Sequence, residues 1–286
     1  MLGVNNVAGE TDRSALFGGA VPAGIQTKDV MRDDFGFEVP VESIPLPSNG
    51  LVYPAESPIH CKEMVDIRAM TAREEDILTS RALIKKGTVI TELIKSCLTD
   101  KRIQVQDMIA GDRNAIMVAL RITGYGADYN VEADCPNCSV RSKQQFDLSE
   151  MPIKRLDIEP VSKGQNTFEF KLPVTKKTVH FKFLTGRDEE EIATIQERAK
   201  KQGALADNIV TTRLQYSIIS IDGKTDRGSV NGFIRNMPAR DSMSLRKYIE
   251  AHEPGIEMRG NFDCTSCGEQ NEVRVPLGAS FFWPES

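Results

Sequence analysis

Apolar residues in the first half of the chain recur with the periods of short strands and amphipathic helices. A strand is predicted near Met64 to Met70, and a helix from about Ala72 to Lys85 follows it. The capping box Thr71-x-x-Glu74 favours the start of this helix, and Gly87 is placed to end it. The pattern therefore begins with a strand followed by a helix.

Two further helices and a second strand come next. One helix buries a single stripe, and its apolar positions are Val89, Ile90, Leu93, Ile94, Cys97 and Leu98. The next helix begins near Asp112 and turns Ile116 and Met117 inward. Apolar and polar residues then alternate from Tyr129 to Asp134, which predicts a strand that runs directly into Cys135.

The second half begins with the same elements in the same order. Phe181 and Phe183 lie in a predicted strand, and a helix through Ile192 follows. Between them, the segment 184–190 (LTGRDEE) resembles the segment 70–76 (MTAREED). Strand, helix start and helix therefore recur at an offset of 114 residues.

The later elements also recur, at a larger offset. A helix starts near Asp241, and alternation from Ile256 to Phe262 predicts a strand that runs into Cys264. The offset grows from 114 to 121 to 129, which two insertions near 203–208 and 223–234 explain, because loops tolerate insertions. We interpret the repeat as an internal duplication; the alternative is chance similarity between helical segments.

Two Cys-x-x-Cys pairs stand at the ends of corresponding strands. Cys135 and Cys138 align with Cys264 and Cys267 at the offset of 129. Each such turn places two sulfurs on one side of a tight knuckle, and two knuckles supply the four thiolates of a structural zinc site. The sequence therefore predicts one Zn²⁺ ion held by these four residues. An iron–sulfur cluster also uses four thiolates, and disulfides or unligated thiols are further alternatives.

A predicted strand leaves each knuckle, at 144–148 and at 272–277, so that each pair sits on a zinc-ribbon-like hairpin. All four ligands are thiolates, and no coordination position is left open for a substrate, which makes the metal structural rather than catalytic. We expect the two copies to face each other about a pseudo-two-fold axis, because equivalent knuckles reach one ion most simply in that arrangement.

These patterns predict an α+β fold of two related helix-plus-hairpin units joined by the four-cysteine site. Residues 1–45 are expected to form an extended N-terminal arm, residues 46–160 the first unit and residues 161–286 the second. The arm is rich in glycine and proline and has too little periodic apolar content for a core of its own. It is either a disordered tail or a segment that orders against a neighbouring subunit.

Composition places the chain among globular proteins. It has 286 residues, 40% of them hydrophobic, and a net charge of −5 with its lysines and arginines spread out, which argues against a broad nucleic-acid surface. No apolar run approaches the ~20 residues of a membrane span, and the N-terminus does not have the pattern of a secretory signal. A reducing cytoplasm is the expected folding compartment, where paired cysteines favour metal over disulfides. Cys61 stands alone, and Cys97 is expected to pack as a small hydrophobe.

Catalytic motifs are not evident. The three histidines, His60, His180 and His252, lie outside metal-protease and deaminase patterns, and His180 is expected at a strand edge. The sequence has no phosphate-binding glycine loop, dinucleotide fingerprint or nucleophile elbow. We therefore expect a protein that is not an enzyme, because nothing supplies a nucleophile, a base and its orienting partner.

Several segments resemble one family. They are Leu46–Pro54 (LPSNGLVYP), Met70–Leu78 (MTAREEDIL), the two cysteine knuckles and the aromatic end Phe281-Phe282-Trp283-Pro284. Over roughly residues 45–286 the chain resembles the baseplate hub proteins of contractile-tailed bacteriophages. The resemblance implies a virion structural protein near the tail tube and central spike, present in a few symmetric copies. Members of this group are also linked to baseplate assembly, but some are shorter, so copy number is not carried over.

Three functions follow as hypotheses. The first is a metal-stabilised structural subunit of the baseplate hub, synthesised in the host cytoplasm, with other tail and baseplate proteins and further copies of itself as partners. The second is a tail-assembly chaperone that leaves before the virion matures. The third is a zinc-knuckle nucleic-acid module, which the acidic balance disfavours. Phe281, Phe282 and Trp283 either pack on their own core or anchor in a partner's pocket.

Overall fold

The first half of the fold alternates strands and helices around one long helix. The computed structural model describes residues 26–32, 38–201, 208–275 and 279–282. In chain order the first elements are β1 (Gln26–Arg32), β2 (Glu38–Pro45), β3 (Met64–Arg68), α1 (Ala72–Thr79), α2 (Arg81–Lys86), α3 (Val89–Cys97), α4 (Ala110–Tyr125), β4 (Asp128–Asp134) and β5 (Arg141–Asp147).

Among the described residues, the second half also has four helices, and it has more short strands. It contains β6 (Ile153–Lys154), β7 (Phe168–Lys171), β8 (Thr178–Phe181), α5 (Gly186–Lys201), α6 (Ile209–Ser217), β9 (Ile218–Ile221), α7 (Arg227–Asn236), α8 (Ala239–His252), β10 (Gly255–Ile256), β11 (Arg259–Asp263), β12 (Gln270–Arg274) and a 3₁₀ turn (Ala279–Phe282). This mixture of helices and strands confirms the predicted mixed class. Helix α7 overlaps the second predicted insertion.

Strand pairing is antiparallel throughout the described residues. Each half has a three-stranded sheet, β1-β2-β3 in the first and β7-β8-β9 in the second, and one hairpin, β4-β5 or β11-β12. The short strands β6 and β10 pair with each other, with Ile153 opposite Ile256. Because β6 follows the first hairpin and β10 precedes the second, this pair joins the two halves next to the hairpins.

The helix predicted from Ala72 to Lys85 is two helices. Ser80 takes extended backbone angles (φ −66°, ψ 106°), which end α1 and begin α2. The capping box at Thr71 and the end at Gly87 are as predicted, and Gly87 adopts the left-handed conformation that favours glycine (φ +72°). None of the side chains of α2 is buried, so no core contact holds the two segments in one straight helix.

Helix α4 is the centre of the molecule and is buried on several faces. One face packs against β2, where Ala115 and Ala119 lie near Ile44. Gly111 approaches the second half so closely that a Cβ atom there would lie 1.7 Å from the carbonyl oxygen of Pro254. A glycine at this position therefore lets α4 contact the segment that leads into β10.

One apolar core runs through both halves. It extends from Ile44 in β2 to Phe282 near the end of the chain, and it includes the aromatic side chains of Phe168, Phe181 and Phe183 in the second half. The rings of Phe168 and Phe183 lie 4.7 Å apart between centroids. The two halves are therefore held together over a large apolar surface as well as at their hairpins.

The ends of the chain are only partly described. Residues 1–25 and 33–37 of the predicted arm lie outside the described residues, whereas 38–45 form β2, which pairs with β3 and buries Val41 and Ile44. At the other end, Phe281 and Phe282 are buried in the main core, and Trp283 lies outside the described residues. The Phe281 carbonyl accepts a hydrogen bond from Nε of the buried Arg121.

Candidate metal centre

The first knuckle closes the β4-β5 hairpin. The Cys135 N–H donates to the Val140 carbonyl at 3.0 Å, and the Ser139 N–H donates back to the Cys135 carbonyl at 2.9 Å. Ser139 adopts a left-handed backbone conformation (φ +59°). This tight turn holds the Cys135 and Cys138 sulfurs at the tip of the hairpin, as the sequence predicts.

The second knuckle repeats this geometry at the tip of β11-β12. The Cys264 N–H donates to the Glu269 carbonyl at 3.1 Å, and the Gly268 N–H donates to the Cys264 carbonyl at 2.9 Å. Gly268 has the same left-handed conformation as its counterpart in the first knuckle (φ +70°). Both hydrogen bonds and the unusual backbone angle therefore recur at the sequence offset of 129.

The four sulfurs meet at one point. One ligand atom from each of the four cysteines lies within 4.8 Å of the others. The Cys135 and Cys267 sulfurs are 3.8 Å apart, and the Cys138 and Cys264 sulfurs are 3.6 Å apart. Each of these pairs joins one knuckle to the other. Sequence positions far apart are thus brought together in a single cluster, rather than in two half-sites.

The spacing of the sulfurs fits a tetrahedral ion. Four bonds of ~2.3 Å to a central Zn²⁺ ion place neighbouring sulfurs about 3.8 Å apart, close to the 3.6 and 3.8 Å between the two sulfur pairs. Four sulfur donors in this geometry are typical of zinc or of iron in iron–sulfur proteins. The donor set therefore suits a soft divalent metal and leaves no ligand position for a substrate.

The sulfurs have unequal proton affinities. Backbone N–H groups of Cys267 and Ser266 lower the pKa of the Cys264 thiol to about 6. At Cys138 the Val140 N–H acts in the same direction, but desolvation and hydrogen bonds with the other three sulfurs raise the pKa to about 12. Four thiolates this close repel one another, so their full deprotonation requires a bound cation.

Only a small apolar cluster supports the cage. The Cys135 and Cys264 side chains are buried with Phe262 beneath them, and Ala133 and Val273 pack alongside. Cys267 is exposed, and the Asn137 amide nitrogen lies 3.8 Å from its sulfur. One side of the cage therefore faces the protein, and the other is open to solvent. Sequence patterns did not single out Phe262 or Asn137 in these roles.

The two hairpins also touch behind the cage. A Cβ atom on Gly260 would lie 2.4 Å from Cδ1 of Phe146, so that glycine permits the β11 backbone to approach β5. The Gln144 side-chain amide donates to the Asp263 carbonyl at 3.2 Å. These contacts align the hairpins so that their tips converge.

The other two cysteines lie elsewhere. Cys97 is fully buried in α3, and burial raises the pKa of its thiol to about 12, as expected for a packing residue. Cys61 is exposed, and its sulfur lies 3.3 Å from Nε2 of the neighbouring His60. Neither belongs to the four-sulfur cluster.

A polar ladder crosses the second sheet, and sequence analysis did not anticipate it. Glu169 on β7, His180 on β8 and Ser220 on β9 are directly opposite neighbours. The Ser220 hydroxyl is 2.8 Å from Nδ1 of His180, and Glu169 is 3.5 Å from Nε2. The order resembles a serine–histidine–carboxylate triad, but the serine is only 4% exposed, and so a substrate has no access to it. Only the register of the strands, which the sequence pattern does not give, places these residues together.

The comparisons with known proteins identify the family. A family model described as "T4 bacteriophage base plate protein" matches residues 50–283, which include all four clustered cysteines. No curated protein and no solved structure matches the chain. Among the described residues, no helix has the length and apolarity needed to cross a membrane. The match covers most of the chain, which therefore belongs to the T4 bacteriophage base plate protein family.

Proposed function

We propose that this base plate protein is a structural subunit of the baseplate hub in a contractile tail, and that a Zn²⁺ ion on four thiolates fastens its two hairpins together. The family supports the broader part: a structural role in a phage baseplate, a place in the virion tail and other tail proteins as partners. The observation that carries the proposal is the family match across residues 50–283.

The metal part of the proposal is supported by the cage geometry. Cys135, Cys138, Cys264 and Cys267 would hold the ion, which neutralises the thiolates and links the two hairpins. A tail protein has to keep its shape while the tail contracts, and a metal cross-link between distant segments resists their separation. Elemental analysis of the native protein tests this, with one zinc per chain expected; iron would replace zinc in the proposal, and a metal-free protein would remove that part of it.

Matching side-chain contacts support an internal duplication. Glu74 in the first half accepts from the Thr71 N–H and hydroxyl and pairs with Arg68. Asp188 in the second half accepts from the Thr185 N–H and hydroxyl and pairs with Lys182. All three positions recur at an offset of 114, although only the threonine is identical in the two halves.

A second pair of contacts supports the duplication further along the chain. Asp112, the third residue of α4, accepts hydrogen bonds from the Ser48 N–H and hydroxyl. Asp241, the third residue of α8, accepts hydrogen bonds from the Thr175 N–H and hydroxyl. Each carboxylate fixes the loop that follows β2 or β7. The offset between the two aspartates, 129, is also the offset between the knuckles.

The sulfur pairing is consistent with a pseudo-two-fold axis through the cage. Exchanging the halves turns the Cys135–Cys267 pair into the Cys264–Cys138 pair, and the two sulfur distances are nearly equal. We propose that the hairpins face each other about such an axis. An experimental structure with inequivalent hairpin orientations at the metal would remove this part of the proposal.

Mass spectrometry of purified mature virions tests the function most directly. A structural subunit is expected in the tail fraction at a fixed ratio to other baseplate proteins. Its absence from mature particles, with other tail proteins present in the same sample as the control, would contradict the proposal and favour an assembly chaperone that leaves.

A further inference from the structure

A large groove separates the two halves on the side of α4 that faces away from β2. It encloses about 1350 Å³, and its apolar wall includes Val89, Ile90, Met117, Val273 and Phe282. We call it the inter-half groove. This volume exceeds the ~300–1,000 Å³ typical of small-molecule pockets. Its size suits an extended polypeptide better than a metabolite.

One carboxylate in the groove has no hydrogen-bond or ion-pair partner within the described part of the chain. Glu253 lines the groove just after α8, and burial raises the pKa of its side chain. Three described cations act on its charge: Arg213 pairs with Glu189, Lys154 donates to the Glu250 carbonyl, and Arg274 forms no ion pair with it. A desolvated carboxylate of this kind gains most from a cation brought in by another molecule.

The N-terminal sequence carries a complementary pattern. Residues 1–25 lie outside the described residues, and Arg13 is their only basic side chain. Leu16 and Phe17 follow it three and four residues later in the segment Arg13-Ser-Ala-Leu-Phe17. In an extended strand Arg13 and Phe17 lie on the same face, so a cation and a large aromatic side chain together match a half-buried carboxylate beside an apolar wall.

We propose that the inter-half groove binds residues 13–17 from a second copy of this chain, with the Arg13 guanidinium paired to Glu253 and with Phe17 on the apolar wall. The contact would link copies head to tail, because the arm of one copy enters the groove of the next. The inference depends on neither the metal centre nor the baseplate function, so it can fail without affecting them.

The position of β1 favours a second copy over the same chain. β1 pairs with β2, and β2 packs against the face of α4 that carries Ala115 and Ala119. The inter-half groove lies along the opposite face, which carries Arg113 and Met117. An arm that leaves β1 therefore begins on the far side of the central helix from its own groove.

Sedimentation velocity of the full-length chain over a wide concentration range tests the proposal. The wild-type protein is expected to associate, and Arg13→Glu or Glu253→Arg should each weaken association by roughly tenfold or more. The double variant R13E/E253R should recover it, because the exchanged charges again attract. Glu56→Arg, an exposed change outside the groove, is the matched control and should leave association unchanged.

Three outcomes would overturn the proposal. One is a protein that stays monomeric at every concentration, as expected if its own arm fills the groove. Another is association that neither single variant weakens. The third is a double variant that remains as weak as the single ones. Glu253→Gln removes the charge with little change of shape, and it covers the case in which the arginine variant does not fold.

Discussion

Phe181 in the main core and Cys135 at a hairpin tip are both almost fully buried, yet their surroundings differ. Phe181 lies among aromatic rings in a core that runs through both halves. Cys135 is buried in a cluster with only Phe262 and Cys264. The remaining side chains of the hairpins are largely exposed or half-buried. An isolated two-stranded hairpin is marginally stable in water. The difference indicates that apolar burial holds the core, whereas the proposed metal ion would hold the hairpin tips.

The largest expected effect is a loss of stability from a change in the core, with the metal still bound. Phe181→Ala removes a ring that contacts Phe168 and Phe183, and should lower the free energy of unfolding by about 4 kcal/mol. Urea unfolding measures this, with the exposed Val161→Ala as the control, expected within ~0.5 kcal/mol of wild type. Loss of zinc from the folded Phe181 variant would contradict the separation of core and cage.

The next largest effect is a loss of metal and of stability that should be confined to the hairpins. Cys135→Ser removes one of four ligands, and we expect the metal content to fall towards zero and stability to drop by about 3 kcal/mol. Cys61→Ser, at an exposed cysteine outside the cluster, is the matched control and should change neither quantity. Elemental analysis and thermal unfolding of both variants provide the measurement. Full metal occupancy in the Cys135 variant would show that the four sulfurs do not form the site.

The buried carboxylate of Glu74 contributes stability that is lost in acid. Burial alone would raise the pKa of Glu74, but hydrogen bonds from Arg68, Ser96 and Thr71 lower it from 4.5 to about 2. A folded pKa below the unfolded one means that the carboxylate stabilises the fold above about pH 4.5. This stability is lost as the pH falls towards 2, and it amounts to about 2–3 kcal/mol.

Glu74→Gln should therefore flatten the pH dependence of unfolding between about pH 4.5 and 2. Because acid also protonates the cage thiolates, the comparison is best made in the Cys135→Ser background, where metal release no longer contributes. Parallel pH profiles for the Glu74 variant and its parent would contradict the assigned role of this carboxylate.

The smallest effect is a difference in stability between variants of Asp112 and Asp241, each of which is the third residue of its helix. Both are desolvated, but amide and hydroxyl donors at Val174 and Thr175 bring the pKa of Asp241 below its usual value, whereas desolvation raises that of Asp112. Asparagine resembles a protonated aspartate, so Asp241→Asn should cost about 2 kcal/mol and Asp112→Asn about 1 kcal/mol. Urea unfolding of both variants near neutral pH measures the difference; the reverse order would contradict it.

Local patterns predicted the elements around the cage. The alternation from Tyr129 to Asp134 and the Cys-x-x-Cys turns predicted β4 and both knuckles, because these features depend on neighbours in sequence. Strand β2 was not predicted, because Pro40 and Pro45 indicated an arm. Both residues lie within a paired strand. The helix break at Ser80 was also missed, because the absence of core contacts along α2 is a tertiary property.

The remaining features depend on contacts that a single sequence does not specify. The Glu169–His180–Ser220 ladder follows from strand register, which is set by how the whole sheet packs. The position of Phe262 beneath the cage and that of Glu253 in the groove follow from how the halves meet. The convergence of the four cysteines was predictable because cysteine chemistry restricts their partners far more than apolar packing does.

Hydrogen exchange followed by mass spectrometry, before and after chelation of the metal, would show whether the ion holds only the hairpins. Chelation is expected to remove protection from residues 128–147 and 259–274, which form the two hairpins, and to leave α4 and the β7-β8-β9 sheet unchanged. Unchanged exchange in the hairpins, or an equal loss of protection throughout the protein, would contradict this expectation.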